Sequence, residues 1–78
     1  MDKIIKGLEA LANSANSNDA VKVQKAIQEV RDLNPAKELD LELAVWQSKL
    51  SVILKEPVGR QGLVKHARFW AEKIKNAK

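Results

Sequence analysis

Few side chains in this 78-residue chain are of a type that does chemistry, and they do not fall into a working set. His66 is the only histidine, hence the only residue of a type that exchanges protons near neutral pH. No cysteine is present, and no serine or threonine nucleophile stands at a recognisable spacing from His66. One histidine without cysteines does not build a structural zinc site. Glu38 and Glu42, at i and i+4, share a helix face, but near the exposed start of a helix they read as two solvated carboxylates. No glycine-rich phosphate loop ending in Lys-Ser/Thr occurs. The expectation is a protein that is not an enzyme and holds no cofactor and no metal.

Two local patterns touch on nucleic-acid binding. Gly59-Arg60-Gln61-Gly62 has the G-x-x-G spacing with which KH domains clamp a phosphate backbone. Only two of those four positions are fixed, and the strands a KH domain needs are missing, so the segment reads as a plain interhelical turn. A helix-turn-helix with Gly59 as the turn glycine would be broken in its first helix by Pro57.

The charge is unevenly placed. Net charge is +4, yet residues 1–54 carry seven basic and eight acidic groups, whereas residues 55–78 carry seven basic and two acidic ones. Arg60, Lys65, Arg68, Lys73, Lys75 and Lys78 form the basic end, with Glu72 diluting it. Lys73 and Lys75 are explained by the favourable interaction of cations with a helix C-terminus. Phosphate binding is the functional alternative. Trp46 and Trp70 stand in the middle of apolar stripes and are expected in the core. Phe69 lies one residue, about 100° of helix rotation, from the Trp70 stripe. Its neighbours on the helix surface are Lys65, His66, Glu72 and Lys73. It either covers a core edge or is an exposed aromatic anchor of the kind that dominates interfaces.

Helices must position all of these residues. Ile4, Leu8, Leu11 and Ala15 recur at one helical face and predict a helix over 2–14, capped by Asp2 and flanked by Ile5 and Ala12. The small polar stretch 14–19 ends it, and Asn18 or Asp19 caps a second helix through Ala20, Val23, Ile27, Val30 and Leu33. Asn34-Pro35 is the clearest punctuation: Asn34 is expected to end helix two and cap helix three. Leu39, Leu43, Trp46, Leu50 and Ile53 give the strongest periodicity, extended by Val45 and Leu54 and stopped at Pro57. Leu63, Ala67, Trp70 and Ile74, flanked by Val64 and Ala71, predict a last helix from Arg60 or Gln61 to about Lys75.

Residues 1–78 are therefore expected to form a single all-α domain, a small up-down bundle of four antiparallel helices joined by short turns. Nothing reads as a signal peptide or a membrane span, and the expected location is cytoplasmic. A domain this small, without disulfide or metal, leans on good packing or on a partner, including another copy of itself. The leading expectation is a helical interaction module that binds a protein, or itself, through Arg60, Lys65, His66, Arg68, Phe69 and Lys73. The runner-up is a nucleic-acid binder using the same basic residues.

Overall fold

The computed structural model describes residues 2–17 and 19–77. Among them are five helices and no strand: α1 (Asp2–Ala15), α2 (Ala20–Asp32), α3 (Lys37–Ser48), the short α4 (Leu50–Lys55) and α5 (Pro57–Asn76). The all-helical expectation holds, with one helix more than the periodicity suggested.

Helix α1 contains Asp2 within its first turn, where a carboxylate favours the helix dipole. At the start of α2 the Asp19 side chain accepts a hydrogen bond from the Lys22 amide, satisfying an otherwise orphan donor. The alternative cap, Asn18, lies outside the described residues. Asn34 has φ 60°, the left-handed conformation that closes a helix C-terminus, and its amide donates to the Arg31 carbonyl. It does not also cap α3. The cap position there is Ala36, two residues on, and no side chain bonds to it.

The third expected helix is in fact α3 and α4, interrupted at Lys49 (φ −111°, ψ 14°). The apolar periodicity runs straight through this break because Leu50 and Leu54 remain buried beyond it. The predicted loop after Pro57 does not exist. Glu56 alone joins α4 to α5, in the extended conformation that proline imposes on its predecessor, and Pro57 starts the helix as its first residue. A proline at N1 needs no amide partner, so it opens a helix as readily as it stops one. Gly59-Arg60-Gln61-Gly62 is therefore about one turn of the helix itself and not an interhelical turn.

The element order of packing is α1 against α2 and α5, α3 against α2 and α4, and α4 against α2 and α5. One cluster of buried residues runs through all five, with Leu8, Leu11, Val23, Ile27, Val30, Leu39, Leu43 and Ala67 wholly enclosed. Of the side chains expected inside, Ile53 and Ile74 are only partly covered, as are the flanking Ile5 and Ala26, while Ala20 is exposed. Leu33 and Val45 extend the expected stripes but face outward. No described helix is long and apolar enough to cross a membrane.

Candidate functional site

The six residues singled out by charge and aromaticity all lie on α5, but not on one face. At about 100° per residue, Ala67, Ile74 and Leu63 define the inward direction. Arg60 falls close to that direction: it is half-buried, and its Nη1 donates to the Leu54 carbonyl at 2.7 Å. Its guanidinium ties α5 back onto the end of α4. Arg68 projects toward α1, where it lines a polar groove with Glu9, Asn13, Ala71 and Glu72. Lys65, His66, Phe69 and Lys73 remain, all exposed on the outer side of the helix.

Phe69 is 59% exposed, which excludes a buried core role for it. Its ring meets Trp70 edge-on, with centroids 6.3 Å apart, the favoured aromatic geometry. Lys73 Nζ stands 4.7 Å from the centroid of the Trp70 ring, within cation–π range. Trp70 is buried as expected, and its indole N–H donates to the Glu42 carboxylate on α3. About two and a half turns of α5, residues 65–73, thus present an aromatic edge, a positioned ammonium and two further cationic or polar groups, with Trp70 as their floor.

The neighbouring helix completes this face. Trp46 on α3 lies 6.4 Å from the His66 ring, and Glu42, one turn earlier, reaches Trp70, one turn later. The two pairs run in opposite senses, so α5 runs antiparallel to α3 and is joined to it by these long side chains, while its backbone packs closely on α1 and α4. Between α3 and α5 opens an apolar hollow of about 190 Å³, lined by Trp46, Ile53, Gly59, Gly62, Leu63 and His66. The two glycines serve it differently. A Cβ at Gly59 would lie 2.1 Å from the Ile53 carbonyl oxygen, so the tight α4–α5 junction requires glycine there. At Gly62 a Cβ would meet nothing within 4 Å. A glycine inside a helix costs about 1 kcal/mol relative to alanine, and no packing contact accounts for it here.

The exposed residues of α3 add what the sequence reading missed. Leu41 is 58% and Val45 50% exposed, and with Glu38 they form the outward face of that helix. The signal was present, since Leu41 and Val45 stand at i and i+4 off the core stripe. It was obscured because the core stripe on the same helix is so regular.

The opposite flank of α3 is closed. Arg31 on α2 donates from Nε to Asp40 at 2.9 Å and from Nη1 to Gln47 at 2.7 Å, and Gln47 in turn donates to Gln28 at 3.0 Å. The Asp40 hydrogen bond raises the Arg31 pKa further above its already high ordinary value. No described side-chain polar atom is buried without a partner, and no cluster of three metal-ligating side chains occurs among the described residues. Comparison of the chain with protein-family models, with curated proteins and with solved structures returns no match.

Proposed function

We infer that the chain is a non-enzymatic helical interaction module whose contact surface is the outer face of α5, built on Lys65, His66, Phe69 and Lys73. The observation that carries this reading is Phe69, a large aromatic left mostly exposed and ringed by cations on a helix whose opposite face is fully used in the core. Small soluble proteins do expose single apolar residues without consequence. Here the exposed ring stands edge-on against Trp70, whose indole reaches α3, and on α3 Leu41 and Val45 are exposed as well. Arg60 and Arg68 support the surface from its edges and contribute no contact at its centre.

In architectural terms α3 and α4 act as one bent element, which makes the arrangement a variant of an up-down four-element bundle. The rigid elements carry the contact residues, and no loop has to order on binding.

Phe69→Ala tests the reading. The variant should melt close to the wild type while losing its protein partner or its self-association. Loss of the fold would make Phe69 a structural residue and remove this surface from consideration. Titration with duplex DNA and single-stranded RNA separates the runner-up: tight binding that falls steeply with salt, and vanishes in the Lys65→Glu/Arg68→Glu variant, would assign the basic end to phosphates instead.

A further inference from the structure

Exposed apolar side chains on α3 and on α5 have charged neighbours of opposite sign. On α3, Leu41 and Val45 are accompanied by Glu38; on α5, Phe69 is accompanied by Lys65 and Lys73. We propose that the outer side of these two helices pairs with the same side of a second copy of the chain, α3 of each protomer lying on α5 of the other. The proposal rests on the interaction-surface reading above and names its partner.

The geometry follows from the antiparallel register. Glu42 stands opposite Trp70 and Trp46 opposite His66, so residue numbers at equal height on the two helices add to about 112 by that pairing. A two-fold axis parallel to the helices and lying over the groove exchanges α3 and α5 without changing heights. The partner's Glu38 then falls beside Lys73. The partner's Leu41 and Val45 fall on either side of Phe69. Symmetry makes each contact twice, as an isologous interface requires.

Charge selects this arrangement over the simpler ones. Pairing α5 with its own copy would set Lys65 and Lys73 against like charges, and pairing α3 with its own copy would do the same to Glu38. Crossing the two helices sets each copy's Glu38 against the other's Lys73, both pairs at one end of the interface, and places aromatic on aliphatic in the middle. The opposite flank of α3 offers no such surface, because Asp40 and Gln47 are already engaged by Arg31.

Sedimentation equilibrium of the full chain, from micromolar to millimolar concentration, tests the proposal with three proteins. The wild type should form a dimer as concentration rises. Glu38→Lys and Lys73→Glu should each weaken it by roughly tenfold or more, since like charges then face each other twice. Mixed in equal amounts, the two variants should recover the dimer as a heterodimer, because every Lys then meets a Glu. Both sites are exposed, and circular dichroism confirms that each variant stays folded. A wild type that remains monomeric at millimolar concentration overturns the proposal, as does a dimer indifferent to both substitutions or one that mixing does not restore. Each of these results leaves the α5 contact surface itself standing, since that reading is decided by Phe69→Ala and by the nucleic-acid titration.

Discussion

The two flanks of α3 are made of similar residues and are used differently. Toward α2, every polar group on the seam has a partner: Arg31 holds Asp40 and Gln47, and Gln47 holds Gln28. Toward α5, one indole–carboxylate bond crosses the seam and an apolar hollow lies beside it. On the outer sides of these two helices, Phe69, Leu41 and Val45 are exposed, as are Lys65 and Lys73. A charged surface with its hydrogen bonds closed within the chain has a structural explanation. Exposed apolar side chains, and a helix glycine that no packing contact requires, have no such explanation, and we propose recognition in its place.

The largest effect belongs to neither flank but to the core beneath both. Leu50, 3% exposed, begins α4 and anchors the break in the α3–α4 element. Leu50→Ala should cost roughly 2–5 kcal/mol, enough to threaten a domain of this size, and chemical denaturation measures it. An unchanged midpoint would mean that α4 does not hold the two flanks together.

The glycines sharpen the comparison because they predict opposite signs. Gly59→Ala drives a methyl into the Ile53 carbonyl and should destabilise by about 1–3 kcal/mol, as overpacking does. Gly62→Ala meets open space and should stabilise by roughly 0.5–1 kcal/mol through helix propensity alone. Thermal melts of the pair decide it: equal destabilisation would show that Gly62 has a packing role. If Gly62→Ala is more stable yet loses association, the residue is kept for the surface and not for the fold.

The seam bond itself comes next. Trp70→Phe keeps most of the ring but leaves the Glu42 carboxylate without its donor, and about 1–2 kcal/mol should be lost. A double-mutant comparison with Glu42→Ala, which removes the acceptor, isolates the pair. Independent, additive effects would mean that α3 is held in place by apolar packing alone.

Much of this was legible in the sequence. Leu8, Leu11, Ile27, Val30, Leu43, Trp46, Leu50, Leu63, Ala67 and Trp70 were identified as core from spacing, because a helix must bury a stripe repeating near 3.6 residues. The break at Lys49 was not legible, since a short interruption preserves the inward direction of the residues beyond it. Pro57 was misread because proline stops one helix and starts the next by the same stereochemistry. At the candidate site, composition marked α5 as basic but could not separate its faces. Arg60 and Arg68 differ from Lys65 and Lys73 only in rotation about the helix, and that rotation sends one to the Leu54 carbonyl and the other toward α1. Nothing in a list of charges distinguishes them.

On the proposed reading, the outer face of α5 adds little to the fold and serves a contact. Thermal denaturation of Phe69→Ala, run beside its sedimentation behaviour and its capture of partner protein, tests it most directly. A melting point lowered by no more than about 4–8 °C is expected, since the mostly exposed ring gives up only its edge contact with Trp70, worth about 1 kcal/mol, together with loss of association. A variant that melts far lower, or one that melts normally and associates as before, would contradict it.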